Sequence, residues 1–231
     1  MNQKDRIIIT IDGPAGVGKS TVARMLARRL DAVFLDTGAM YRAVTLAAVE
    51  HGINPADTPK AQTLFDQCRF EFRSENETTK VFIDGQDKTA AIRDPKITKQ
   101  IKFIASSPAL RGKLVQMQRD FAEGCRRIVT EGRDQGTVAF PDADVKFFLT
   151  ADAEERARRR HQELLAAGKD ILPEQVLSDQ KIRDASDENR TVGPLRPATD
   201  AIIMDTTSLT VEQVVGEMER IVRERIRAGK G

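Results

Sequence analysis

Tryptophan is absent from this 231-residue chain and tyrosine occurs once, at Tyr41, so no aromatic platform for stacking single-stranded nucleic acid is on offer. Cysteine and histidine occur twice each, as Cys68, Cys125, His51 and His161. They are too scattered for a metal cluster or a disulfide framework, and idle thiols suit a reducing compartment. No apolar run approaches the ~20 residues of a membrane helix. The first residues lead into a short apolar strand without the hydrophobic core of a signal peptide. These absences predict a soluble, cytoplasmic protein with neither a membrane nor a nucleic acid as partner; a chain with its own core, insert and lid needs no partner, so a monomer is expected. Net charge is also scarce. The 37 Lys+Arg nearly cancel the 35 Asp+Glu, leaving +2, too little for a general basic field. Within that balance, however, arginine outnumbers lysine 24 to 13. Arginine's planar fork matches phosphate better than an ammonium does.

The apolar share of 40% is enough for a sizeable core, and the length fits one α/β unit carrying an insert. Strand-length apolar runs at 6–12, 33–36, 127–131, 145–149 and 201–205 alternate with helical stretches at about 19–30 and 39–51. That alternation predicts a parallel sheet flanked by crossover helices. The last helix is periodic through Val211, Val214, Val215, Met218, Ile221, Val222 and Ile226, with Thr210 and Gln213 as a capping box. Residues 54–105 break the alternation. Arg69–Arg73 reads as a half-exposed strand, and Lys80–Ile83 runs into Asp84-Gly85, a primed-turn signal for a hairpin. This stretch is expected to be a small antiparallel insert, with 1–53 and 106–231 forming the core and a helical lid at about 154–190.

Gly13-Pro14-Ala15-Gly16-Val17-Gly18-Lys19-Ser20-Thr21 matches the phosphate-binding loop pattern in full, between a buried strand and a helix. Its glycines let backbone N–H groups converge on phosphate oxygens, and the helix N-terminus adds partial positive charge. Lys19 can reach the β- and γ-phosphates, and the Ser20 hydroxyl can ligate Mg²⁺. Nucleoside triphosphate binding is therefore the strongest expectation. The chain has no NKxD and no DxxG, which excludes a GTPase switch; a motor would be longer and carry further motifs. Small-molecule kinases remain.

Two further segments follow core strands, at the edge where α/β sheets bind ligands. Asp36-Thr37-Gly38-Ala39-Met40-Tyr41-Arg42 brings Arg42 into the first turns of a helix, and Glu131-Gly132-Arg133-Asp134 offers a phosphate-holding arginine and a polar acceptor. Arg156 to Arg160, Arg183 and Arg190 lie in two helices joined through 168–173. A hinged flap there would close Arg156, Arg160, Arg183 and Arg190 on the transferring phosphoryl group. For Arg158 and Arg159 a solvated helix face is an equal alternative.

Taken together, these segments, with Phe140-Pro141-Asp142-Ala143, Arg183-Asp184 through Asp187 and Arg190, Val192-Gly193-Pro194-Leu195 and Asp205-Thr206-Thr207-Ser208-Leu209, resemble the bacterial cytidylate kinases over nearly the whole chain. The resemblance implies a nucleoside monophosphate kinase fold with a core, a monophosphate-binding insert and a lid, and the reaction ATP + CMP or dCMP → ADP + CDP or dCDP. It implies that Arg42, Arg133 and Arg190 hold the acceptor phosphate, that Arg111 and Asp134 address the cytosine edge, and that Asp187 with Arg183 addresses the sugar. Thr37 and Tyr41 would lie beside the acceptor. Lys102 stands where the family usually has a serine that touches the base, and Glu131 where many members have Asp.

An acceptor that is itself a phosphate, with a second pKa of ~6, needs no general base. Alignment and charge neutralisation by Lys19, Arg133, Arg156 and Arg160 would then carry catalysis. Two alternatives stay open: a P-loop kinase of UMP or of an alcohol, with Asp36 as the only candidate base, and a regulatory module that binds ATP without transferring phosphate.

Overall fold

The computed structural model describes residues 6–75, 78–166 and 168–228. Five parallel strands, β1 (Ile7–Asp12), β2 (Val33–Asp36), β6 (Arg127–Gly132), β7 (Val145–Thr150) and β8 (Ile202–Asp205), form a sheet in the order β2-β6-β1-β7-β8. Side-chain alternation sorts them between two cores. Ile9, Ile11, Phe34, Val129 and Phe147 face α1 (Lys19–Arg29) and α8 (Val211–Ala228), whereas Leu35 and Ile128 face α2 (Thr37–Glu50) and α5 (Pro108–Glu123). The capping box of α8 forms reciprocally: Thr210 N donates to Gln213 Oε1 at 2.9 Å and Gln213 N to Thr210 Oγ1 at 3.3 Å. Val214, Val215, Met218 and Val222 of that helix are buried, as its periodicity predicts.

Helix α2 starts two residues earlier than the sequence spacing suggests, because the Asp36 carboxylate accepts Ala39 N at 2.9 Å and caps the first turn. In the insert region β3 (Phe70–Glu75), β4 (Thr78–Ile83) and β5 (Gln86–Asp87) form a separate antiparallel sheet. The turn at Asp84-Gly85 has φ of 49° and 79°, the primed geometry its sequence signals.

The sequence reading passed over three helices here: α3 (Thr58–Gln67), α4 (Pro95–Ser106) and α5. All three begin alike, with Asp57, Asp94 or Ser107 accepting a backbone N–H and a proline in the first turn. That shared start was the signal available. The lid region is a helix pair, α6 (Ala153–Ala166) and α7 (Pro173–Glu188). Among the described residues no helix is long and apolar enough to cross a membrane.

Candidate active site

Parallel pairing sets the first constraint. The register aligns Asp12 of β1 with Gly132 of β6, and Asp36 of β2 with Glu131. The phosphate loop, the Asp36–Arg42 segment and the Glu131–Asp134 segment therefore leave the sheet side by side at its carboxyl edge. Gly13, Gly16 and Gly18 have φ of 148°, 81° and 88°, so the loop uses backbone that side chains resist. A Cβ on Gly13 would strike the Leu149 carbonyl of β7.

Lys19 is buried, and its Nζ donates to Pro14 O at 2.6 Å. Burial pulls the ammonium well below the usual lysine value; Arg133 adds to that and Glu131 opposes it. An anion at the loop would reverse this balance. The Ser20 hydroxyl makes a short hydrogen bond to the Glu131 carboxylate. Glu131 is raised above an ordinary carboxyl by burial and then by the neighbouring Asp36, against Lys19 and Ser20. One hydroxyl with carboxylates close by is a hard oxygen donor set that fits Mg²⁺.

Beside the loop, Arg42 Nη2 is paired with Asp36 at 2.7 Å. Gly38 leaves room for this pair, since a Cβ there would lie 3.0 Å from Arg42 Nη1 and 3.1 Å from Asp36 Oδ1. The Thr37 hydroxyl is spent on Glu131 O at 2.6 Å, tying α2 to β6. Thr21 lies in the first turn of α1 and is exposed.

The β6 loop is held from below by a residue the sequence reading treated only as the end of a strand. Asp12 accepts Gln135 N at 2.9 Å and Gly136 N at 2.8 Å, across more than 120 residues of chain. Burial raises this carboxyl to about 6; the two N–H groups and Lys19 oppose the shift, and Asp134 adds to it. Beneath, Thr130 Oγ1 donates to Gln135 Oε1, and Gln135 Nε2 donates to Gln118 Oε1 on α5. The arginine and carboxylate at the loop's tip thus sit on a tethered turn.

Arg133 Nε donates to Asp187 of α7 at 2.7 Å, and Arg190 Nη2 donates to the same carboxylate at 2.9 Å. Burial lowers Arg133, but Asp187, Glu131 and Asp184 outweigh it and raise the guanidinium above its ordinary value. Asp187 stays below the carboxylate range because Arg133, Arg190 and Arg183 overcome its burial. The Asp187 oxygens, expected beside a sugar, are here engaged by Arg133 and Arg190. Arg183 stands exposed at the rim, pulled down to about 10 by partial loss of hydration and by the charge of Arg133, with Arg42 and Arg160 also pushing. Such crowding of like charge favours an anion.

At the far end of the cleft Arg111 and Asp134 form a buried ion pair. Arg111 Nη1 donates to Ala105 O at 3.2 Å, its Nε is buried without a partner, and its guanidinium carbon lies 5.6 Å from the centre of the Tyr41 ring. Backbone at Gly193, with φ of 60°, lies so close over this pair that a Cβ would fall 2.8 Å from the guanidinium carbon. Lys102 is exposed, its ammonium 5.1 Å from the Phe103 ring centre.

The lid arginines divide. Arg156 is buried and bonded to Ala15 O at 3.1 Å and to Asp184 at 2.5 Å. Arg159 is neither a solvated side chain nor a phosphate ligand. It donates to Thr206 O at 2.6 Å and Thr207 O at 3.2 Å, joining α6 to the segment after β8. Arg158 is exposed on Glu155. Arg160, expected at the phosphoryl group, is also exposed and pairs with Glu163 at 2.8 Å, so the structure turns its guanidinium along the helix surface.

A protein named cytidylate kinase from Mycolicibacterium paratuberculosis is 46% identical over 219 residues, covering 95% of this chain and 96% of its own length. Another of that name from Pelotomaculum thermopropionicum is 46% identical over 223 residues, covering 96% of both chains. An uncharacterised protein from Eubacterium ventriosum shares the fold with a TM-score of 0.50 at 12% identity, covering 95% of this chain and 99% of that one. Residues 9–224 match the profile of cytidylate kinase, and the chain belongs to that family.

Proposed function

We propose that the protein transfers the γ-phosphoryl group of ATP to CMP or dCMP, giving ADP and CDP or dCDP. One observation carries this reading. A phosphate loop with a buried Lys19, an arginine cluster (Arg42, Arg133, Arg183, Arg190) and a buried Arg111–Asp134 pair gather at the carboxyl edge of one sheet. The loop takes the triphosphate, the cluster takes the acceptor phosphate, and the pair reads the base. Cytosine offers an amino donor beside a ring-nitrogen acceptor, matching a carboxylate next to a guanidinium. Uracil would turn an oxygen toward Asp134.

Chemistry at the phosphates needs orientation and charge, not a base. Lys19 supplies positive charge at the β- and γ-oxygens. Arg133 and Arg190, aligned on Asp187, hold the acceptor phosphate, and Arg156 stands on the donor side. Mg²⁺ would be held by the Ser20 hydroxyl, which Glu131 hydrogen-bonds, and would supply further charge neutralisation. We read the enzyme as cytoplasmic, which two free thiols suit, and as a monomer, since core, insert and lid give it no need of a partner. The lid at α6–α7 and the insert at 54–105 are assigned the closing and acceptor-binding roles.

ADP release measured with CMP, dCMP, UMP, AMP, dTMP and shikimate in turn tests the assignment. Strong stimulation by the cytidine nucleotides is expected. A flat response would instead make the chain an ATP-binding regulatory module.

Asp12 adds a pH prediction. Its ionised form accepts both loop N–H groups, and it protonates as pH falls through about 6. Acceptor KM should therefore rise on acidification. Because the folded-state pKa is raised, this group's contribution to stability runs the other way. It is present below the ordinary carboxylate value of 3.8 and lost as pH rises through about 6. The acceptor phosphate also titrates near pH ~6, so Asp12→Asn is the control. The wild-type to variant ratio of kcat/KM for CMP should shrink toward one below pH 6. A ratio constant from pH 5 to 8 would show that Asp12 does not titrate in the site.

A further inference from the structure

Helix α7 presents Val176, Gln180, Asp184 and Asp187 inward, a spacing that keeps them on one face. Asp187 grips the acceptor-side Arg133. One turn earlier Asp184 does something different. Its Oδ2 accepts Arg156 Nη1 at 2.5 Å and its Oδ1 accepts Ala15 N, in the phosphate loop, at 3.4 Å. Arg156 completes the ring by donating Nη1 to Ala15 O at 3.1 Å, and its Nε holds Ala151 O at 3.0 Å. Gln180 Nε2 donates to Arg156 O at 3.2 Å, while Gln180 Oε1 is buried without a partner. A Cβ on Gly16 would strike the Gln180 amide and lie 3.1 Å from Arg156 Cβ. Arg156, Gln180 and Asp184 are all at least nine-tenths buried, although all three are polar.

We propose that Asp184 and Gln180 are positioning residues that dock the lid, through Arg156, onto Ala15 and Gly16 of the phosphate loop. The proposal rests on the reading of that loop as the ATP site. By holding Arg156 Nη1 and Ala15 N together, Asp184 keeps that guanidinium beside the loop, where the oxygens of a triphosphate meet it. Arg156 thereby reaches the phosphates from a fixed starting point. With Asp184 and Asp187 a turn apart on one helix, α7 links the donor side to the acceptor side.

The test is steady-state kinetics of the full chain with Asp184→Asn, which keeps shape and removes charge, and with Gln180→Ala as a second variant. Thermal unfolding confirms that each is folded. Asp184→Asn should raise ATP KM by about tenfold and lower kcat by a similar factor, the scale of one charge-assisted hydrogen bond. CMP KM should stay within about twofold, because the Asp187–Arg133 contact remains. ATP hydrolysis without acceptor should rise relative to transfer, and Asp184→Glu should restore part of the coupling. Gln180→Ala should shift the same two readouts less. Equal rises in both KM values would reduce Asp184 to a structural residue and overturn the proposal, as would unchanged ATP kinetics. A wild-type chain that binds no ATP would overturn the ATP-site reading itself, a distinct outcome.

Discussion

Lys19→Ala lowers kcat by about 10²–10³ at saturating ATP and CMP, the usual cost of removing a preorganised group that faces developing charge. The buried ammonium is held on Pro14 O at 2.6 Å and depressed well below its usual value by burial, so its charge is costly until a triphosphate arrives. Binding anionic oxygens at the loop returns that charge where the phosphoryl group passes. Interaction that strengthens toward the transition state raises kcat and not merely affinity. Deleting the amine should leave the fold intact, because a desolvated cation contributes little to stability. Steady-state kinetics with thermal unfolding of the variant check both halves. Activity within about threefold of the parent, only ~0.7 kcal/mol of barrier, would remove Lys19 from the reaction.

The donor side of this site was readable because its chemistry is local. Loop, lysine, serine and helix lie in nine consecutive residues, and strand periodicity supplied the setting. The acceptor side is assembled from β2, β6, α5 and α7, so its residues were named from motifs while their partners were not. Arg133 with Asp187, and Arg111 with Asp134, are pairs that only the three-dimensional arrangement makes. Asp12 escaped because a carboxylate ending a strand looks like a solvated residue; its task, holding a loop 123 residues away, has no sequence period. The arginine run at 156–160 was legible as a run but not residue by residue. Helical rotation sends neighbours to different fates: Arg156 inward, Arg159 to Thr206, and Arg158 and Arg160 to glutamates on the surface. The helices α3, α4 and α5 were hidden by composition, although each opens on a capping side chain and a proline.

Arg133→Ala lowers kcat/KM for CMP by about 10²–10³, while ATP KM stays within about twofold. Its guanidinium is fixed at Nε by Asp187 and at Nη1 by Gly132 O at 3.2 Å, leaving Nη2 to meet the acceptor phosphate without rotamer search. Asp187, Glu131 and Asp184 together hold it charged against its burial. Alanine removes the charge and also the Nε hydrogen bond to Asp187, which Arg190 then holds without it, so the acceptor loses one arginine and the alignment of the other. Lysine at this position keeps a charge but lacks the fork that grips carboxylate and phosphate at once, so Arg133→Lys should recover only part of the loss. The split between substrates is the decisive readout. Collapse of both KM values would mean that the β6 loop had come off its Asp12 tether. Unchanged CMP kinetics would take Arg133 out of the acceptor site, and the cluster on Asp187 would then be structural.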